Sequence, residues 1–443
     1  MRRVLIVSPH FPPVNAPDMQ RARLALPHLR DLGWEAVVLA VTPEFVEGAV
    51  NEPLLEKTYP ADTRIIRVRG LSARFTRPLG FGSLWWRCGR ALRRAGDALL
   101  ATEKFDLVFF TTTQFDAFTL GPRWLARFGV PYALDYQDPW VNDYYARNRV
   151  RPPGGPLRYW LSQYTAKARE PAAFRAAAAV VAVSPAYLAD LVLRYPDARP
   201  TVTEVLPFPS AASDFEIARA HPPEHPLIPF GDGSFHIVYT GRGGPDMARA
   251  LRILFRALRA RIDAASTGSA RPIKLHFIGT DYAPAPLAKP SVLPIAREEG
   301  VSGHVSEHCG RVPYFEALHY LAKADAILVI GSDDAAYNAS KLRPCMLARR
   351  PLLCLAHHAS PLFSAARQAS PESTFGFGGD ASDAACADRI ARAWLAHPPA
   401  NPPAPETTFA RLADSSSAHT MTRRLCEIFD LAVNANHPSQ ASR

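Results

Sequence analysis

The chain is poor in the features that would place it outside the cell or in a membrane. It has six cysteines, at 88, 309, 345, 354, 386 and 426, with no C-x-x-C pair and no regular spacing. A disulfide framework is therefore not expected, and buried free thiols in a reducing compartment are. No window approaches eighteen apolar residues, so no spanning helix is expected. The opening MRRVLIV has only four apolar residues in a row before Ser8, too few for a signal peptide, and reads as a first strand. Chemical motifs are missing too. No G-x-G-x-x-G follows Val4 to Val7, and Gly241-Arg242-Gly243-Gly244 lacks a correctly spaced third glycine. This disfavours a dehydrogenase. There is no G-x-x-x-x-G-K-[ST], no G-x-S-x-G and no H-E-x-x-H. His304, His308 and Cys309 do not make a metal site on a strand, because residues four apart stand about 13 Å from each other. Acidic residues are outnumbered, 41 against 51 basic ones, which favours anionic partners.

What is present is globular: 443 residues, 48% hydrophobic and 21% charged, enough for two cores. Continuous apolar runs alternate with amphipathic helices. The runs are 4–7, 36–41, 65–68, 107–110, 132–134, 180–183 and 202–206, with a helix over 20–32 ended by Gly33. This is the pattern of a parallel sheet covered on both faces. A proline-rich stretch, 207–234, reads as a linker. A second alternation follows, with strands over 237–239, 274–278, 304–308, 326–330, 352–356 and near Phe375. The expected organisation is two doubly wound α/β domains, 1–206 and 235–415, then a helix over 416–434 and a disordered tail over 435–443.

The second half is organised around Ala324 to His357. A buried strand, a polar loop, a helix opening at Ser340-Lys341 and another buried strand succeed one another there. A loop at the carboxyl end of a parallel strand that feeds a helix N-terminus suits a phosphate, and Lys341 adds a full charge.

The order and spacing of several segments resemble the group 1 (family 4-like) glycosyltransferases of the GT-B fold. They are the opening VLIVSPHFPPVNAPDMQRARLALPHLRDLGWEAVVLAV, then AAAAVVAVSPAYLADL, LHFIGTDY, VSEHCGRVPYFEALHYLAKADAILVIGSDD and NASKLRPCMLARRPLL. The resemblance covers nearly the whole chain and implies two Rossmann-like parallel-sheet domains facing across a cleft. The implied activity is transfer of a hexose-type sugar from a nucleotide-diphosphate donor to an envelope glycan or lipid-linked acceptor, retaining, with no metal and no cofactor beyond the donor. No D-x-D stands at a strand end to serve the metal-dependent alternative.

On this resemblance Gly241, Arg242, Ser340 and Lys341 approach the donor diphosphate, and Gly279 closes another strand-end loop. The family's E-x7-E pair falls on Ala336 and Pro344, whose side chains accept no hydrogen bond. Asp333, Asp334, Tyr337 and Asn338 are the candidates for the ribose instead. The lysine a turn after the family's Gly-Arg loop is also missing, leaving Arg249 or Arg252. In the first domain, PYALDYQDPW carries the candidate catalytic carboxylates Asp135 and Asp138, which could deprotonate an acceptor hydroxyl or stabilise oxocarbenium charge. Gln137 lies between them, and the nearby aromatics, Trp140 among them, suit sugar rings. His10 joins the catalytic candidates, and Asp18, Gln137 and Trp140 the acceptor side.

Residues 72–100 interleave Arg74, Arg77, Arg87, Arg90, Arg93 and Arg94 with Phe75, Trp85 and Trp86. They read equally as a membrane-facing basic helix or as a crossover helix packed on the sheet. No nucleic-acid motif appears. The expected location is cytoplasmic, with the inner face of the plasma membrane as the surface such a helix would meet. Two rival readings share the fold: a nucleotide-sugar epimerase, and a non-catalytic sugar-nucleotide-binding or scaffold protein.

Overall fold

Runs rich in aliphatic and aromatic residues can be buried on both faces, and they become the inner strands. The computed structural model describes residues 1–47, 50–76, 82–143, 145, 152, 155–198, 200–264, 271–281, 283, 287–335, 342–399 and 417–436. Seven strands, β1 (Arg2–Val7), β2 (Trp34–Val41), β3 (Arg64–Val68), β4 (Leu107–Thr111), β5 (Tyr132–Tyr136), β6 (Ala179–Ala182) and β7 (Val202–Val205), form one parallel sheet. Their order is β3-β2-β1-β4-β5-β6-β7. Val7 of β1 stands opposite Leu39 on one side and Phe110 on the other. From β1 the chain winds outward through β2 and β3, then crosses back to β4. The switch point of this sheet therefore lies between β1 and β4.

The second sheet repeats the design. It contains β8 (Phe235–Thr240), β9 (Ile273–Ile278), β10 (Val305–His308), β11 (Ala326–Ile330), β12 (Leu352–His357) and β13 (Thr374–Phe377). Their order is β10-β9-β8-β11-β12-β13, again all parallel, so its switch point lies between β8 and β11.

The chain divides into two compact units, Met1–Pro209 with Ala418–Arg443, and Ser210–Ser417. The stretch 207–234 is more than connecting chain. It contains the helix Ala212–Ala220, which packs on the helix Tyr314–Lys323, with Tyr314 donating a 2.8 Å hydrogen bond to Asp214. The last helix, Ala418–Asn436, returns to the first unit. Its apolar face covers the helix Gln20–Leu29 and the sheet, and Phe429 meets the edges of Trp34 and Phe109 at 5.3 and 5.0 Å. Arg2 and Asp430 close its outer side at 2.6 Å. Several expected boundaries move, two of them in ways that change an element. The first helix stops at Leu29, with a turn running to Gly33 at φ +85°, and His304 lies in a 3-10 turn before β10.

Candidate active site

In the first unit the carboxyl ends of β1, β4 and β5 converge on two carboxylates. Asp18 sits in the short 3-10 turn Pro17–Met19 that opens the first helix, and its side chain is buried. Its Oδ1 lies 2.8 Å from His10 Nδ1, while Oδ2 accepts from Thr112 Oγ1 at 2.9 Å and from the Thr113 amide at 3.0 Å. Burial works to raise the Asp18 pKa. The hydrogen bond and charge of His10, with the bonds from Thr113 and Thr112, outweigh it and hold the carboxyl below its ordinary value. An ionised carboxylate only accepts, so His10 donates to it from Nδ1, and in the neutral ring Nε2 is the nitrogen left to accept.

The second carboxylate is Asp135, at the fourth position of β5. It pairs with Arg21 (Nε to Oδ2, 2.7 Å), and both side chains are 0% exposed. Arg21 also donates to the Leu206 carbonyl at 2.6 Å. Thr111 Oγ1 and Gln137 Nε2 reach the same Asp135 oxygen at 2.8 and 2.9 Å. Gln137 further spans to the Asp18 carbonyl at 3.0 Å, tying the two carboxylate clusters together.

This placement corrects part of the sequence reading. Asp135, expected to act on substrate, is instead sealed from solvent in its ion pair with Arg21. Gln137, expected on the acceptor side, is buried and acts as a brace. Trp140 does not offer a sugar platform. It is buried, stacked on Phe115 at 6.0 Å and edge-on to Phe118 at 5.8 Å. Asp138, by contrast, reaches solvent, and desolvation by crowding atoms, then the charge of Asp18, raises its pKa. His10, Asp18 and Asp138 are thus brought together. Arg21 and the run Thr111-Thr112-Thr113 were missed, although three threonines directly after an apolar strand were a visible signal for a hydroxyl-lined strand end.

In the second unit, β8 runs into Gly241-Arg242-Gly243-Gly244. Gly241 has φ +144° and donates to the Ile278 carbonyl at 2.8 Å, and the Gly243 amide donates to Thr280 O at 2.7 Å. A Cβ on Gly243 would stand 2.1 Å from Ser291 Oγ, so the loop passes close to the segment that leads into the helix Leu293–Glu298. Gly279, at φ +76°, turns the chain after β9. Arg242 grips Asp246 through two hydrogen bonds, 2.9 and 2.7 Å, and this grip leads the effects that lower the Asp246 pKa. The Asp246 carbonyl in turn accepts the Asp333 amide at 2.8 Å, joining the loops after β8 and β11 at the switch point. Asp333 and Asp334 are exposed. Local burial foremost raises the Asp333 pKa against the pull of Arg249.

Of the two cationic substitutes, Arg249 is held by Asp383 at 2.9 Å and lies over the Phe377 ring at 5.4 Å. Arg252 pairs with Glu298 at 2.6 Å. Tyr337, Asn338, Ser340 and Lys341 lie outside the described residues. Among the described residues, no group of three or more His, Cys, Asp or Glu is placed to hold a metal ion.

On the flank of the first unit, Ser83 caps the helix Leu84–Thr102 by accepting from the Trp86 amide at 3.2 Å. Arg87 points inward and donates to the Phe45 carbonyl at 2.8 Å, so the expected basic face loses one member. Trp85, Trp86, Gly89, Arg90, Arg93, Leu120 and Arg169 line a groove of about 550 Å³, with Trp86 63% exposed. Among the described residues no helix is long and apolar enough to cross a membrane.

Residues 20–209 match the family described as a glycosyl transferase 4-like domain. No curated protein matches the chain. Among solved structures, the chain is similar to Anabaena HepE in complex with UDP and glucose, with a TM-score of 0.53 and 13% identity over 97% of this chain and 100% of that one. It is also similar to an alpha,alpha-trehalose-phosphate synthase (UDP-forming) from Burkholderia xenovorans in complex with glucose-6-phosphate, with a TM-score of 0.54 and 11% identity over 96% and 100%. A third is the Candida albicans trehalose-6-phosphate phosphatase N-terminal domain, with a TM-score of 0.56 and 13% identity over 97% of each chain. Identities this low speak to the fold alone, while the family match speaks to the domain. Residues 20–209 thus match a glycosyl transferase 4-like domain, and the two parallel-sheet α/β units have the GT-B fold.

Proposed function

We propose that the protein transfers a hexose from a nucleotide-diphosphate sugar to a hydroxyl of an envelope glycan or lipid-linked acceptor, without a metal. The observation that carries this reading is the His10–Asp18 contact, a buried carboxylate holding one imidazole nitrogen so that the other faces a hydroxyl as acceptor. The donor binds the second unit. Gly241 and Arg242 approach its diphosphate, Gly279, Asp333 and Asp334 flank it, and Tyr337, Asn338, Ser340 and Lys341 complete the site on the sequence reading. UDP and glucose in the HepE structure and the UDP-forming trehalose-phosphate synthase support a uridine nucleotide as the first donor to try. Arg242 must exchange Asp246 for phosphate oxygens, and cationic side chains then offset the charge of the leaving diphosphate.

The acceptor meets the first unit. In a retaining transfer the hydroxyl enters on the face that the diphosphate leaves, a diphosphate oxygen takes its proton, and His10 orients it. The His10–Asp18 contact favours a second reading, inversion, in which His10 Nε2 takes the proton itself. The Trp86 and Arg90 groove supports a lipid-linked acceptor and a protein resting on the inner face of the plasma membrane.

Purified protein incubated with a panel of nucleotide sugars tests the proposal. Slow donor hydrolysis, accelerated by an acceptor, is expected, and proton NMR of the product anomer separates retention from inversion. Donor isomerisation without an acceptor would instead make the protein an epimerase, and binding without turnover across a wide acceptor set would make it a scaffold.

A further inference from the structure

Away from the strand-end loops, the second unit contains a chain of four hydrogen-bonded side chains that the glycosyl chemistry does not use. Ser306 lies on β10, the edge strand of its sheet, and is exposed. Its Oγ is 2.7 Å from His276 Nδ1. His276 Nε2 is 2.9 Å from His236 Nδ1, and the two rings stack with centroids 5.1 Å apart. His236 Nε2 is 3.1 Å from Asp232 Oδ1. Both histidines are buried, at 5% and 1% exposure. Strand register builds the line: His276 stands opposite Ser306 across the β9–β10 ladder, and His236 reaches it from β8.

The direction of every hydrogen bond follows from its far end. Asp232 is held ionised by Lys274, Nζ to Oδ2 2.8 Å, and can only accept. His236 therefore donates from Nε2 and accepts at Nδ1, so His276 donates from Nε2 and accepts at Nδ1. The one remaining donor is the Ser306 hydroxyl, whose proton is aimed at the imidazole. A serine whose proton is held by a histidine, itself oriented through a second histidine by a carboxylate, has the arrangement of an activated nucleophile.

We propose that Ser306, backed by His276, His236 and Asp232, is a nucleophilic site that accepts the acyl group of small carboxylic esters. Ser306 Oγ adds to the ester carbonyl as its proton passes to His276 Nδ1. The His276 Nε2 proton passes to His236 Nδ1, leaving the positive charge on His236 beside Asp232. Collapse of the tetrahedral adduct breaks the bond to the alcohol oxygen, which leaves with a proton returned along the same path. Water then adds to the acyl-serine by the same steps, releasing the carboxylic acid and restoring the hydroxyl.

The probes are diisopropyl fluorophosphate and p-nitrophenyl acetate, used on the full chain. In the first, Ser306 Oγ displaces fluoride from phosphorus and the proton leaves through His276. Peptide mapping is expected to place one phosphoryl adduct on Ser306. Ser306→Ala, an exposed change that the fold tolerates, is expected to remove it and lower nitrophenol release by about 100-fold or to the buffer rate. Asp232→Asn, at a partly exposed position, should slow labelling about tenfold with an unchanged melting temperature. No adduct, an adduct on another residue, equal nitrophenol release by Ser306→Ala, or equal labelling of Asp232→Asn overturns the proposal.

Discussion

Arg21 Nε and Asp135 Oδ2 are 2.7 Å apart, and neither side chain is reached by solvent. Arg21 follows the Asp18 turn in sequence and Asp135 precedes Gln137, so the pair pins the first helix to β5 directly beneath the His10–Asp18 contact. Removing one member strands a charge in the core. Arg21→Met is expected to cost about 3–5 kcal/mol. The double variant Arg21→Met with Asp135→Leu should recover most of that loss. Urea unfolding of the two variants checks this, and equal losses would mean that the pair is not an isolated buried charge couple.

The Asp18 carboxylate orients His10, so Asp18→Asn should lower kcat by about 10²–10⁴-fold while leaving nucleotide affinity unchanged. His10→Ala in the Asp18→Asn background should add little, because the two act as a unit. Steady-state kinetics with saturating donor would reveal a multiplicative loss if they act separately.

Arg242 is held by Asp246, and a diphosphate must draw it away. Arg242→Ala is expected to weaken UDP binding by tenfold or more, about 1.4 kcal/mol. Asp246→Asn, which frees the guanidinium, should strengthen it. Calorimetric titration decides, and weakening by both substitutions would show that Asp246 itself shapes the site.

Two buried carboxylates should bend the pH–stability curve in opposite directions. The Asp18 pKa is lowered in the fold. Its contribution is complete above the ordinary aspartate value of about 3.9, and is lost as pH falls toward its folded value. Glu170 is raised, by burial first, against the hydrogen bonds of Tyr195 and Arg194. Its ionisation therefore costs stability as pH climbs from about 4.3 through its folded pKa. Urea unfolding between about pH 3 and pH 7 should show Asp18→Asn flattening the acid limb. Glu170→Gln should remove the opposing slope, and a parallel shift of either curve would contradict the assignment.

Gly331 follows β11, where an added Cβ would stand 2.9 Å from Ala356 Cα on β12. The obstacle is backbone, which moves only if the two strands part. Gly331→Ala is expected to cost about 1–3 kcal/mol. A thermal melt matching the unsubstituted protein would show that the strands tolerate the change.

The strands were legible because burial on both faces leaves an unbroken apolar run in the sequence. Ala326–Ile330 was located to the residue, and the other runs were located to within two residues at each end. The glycine-bearing loops were legible for a related reason, since a backbone that must pass close to another strand excludes side chains. The linker reading of 207–234 missed the helix Ala212–Ala220 because the proline-rich flanks dominated the composition of that stretch.

Sequence by itself determined that carboxylates and a histidine stand at strand ends, for residue type and strand position are both written in the chain. Only the tertiary structure decided which of those carboxylates faces solvent. Asp135 and Asp138 are three residues apart with the same chemistry, and their difference comes from Arg21, more than a hundred residues away in the chain, which seals one and leaves the other open. The relay from Asp232 to Ser306 was hidden for the same reason, because four polar residues on one loop and three strands become neighbours only when parallel register brings them together.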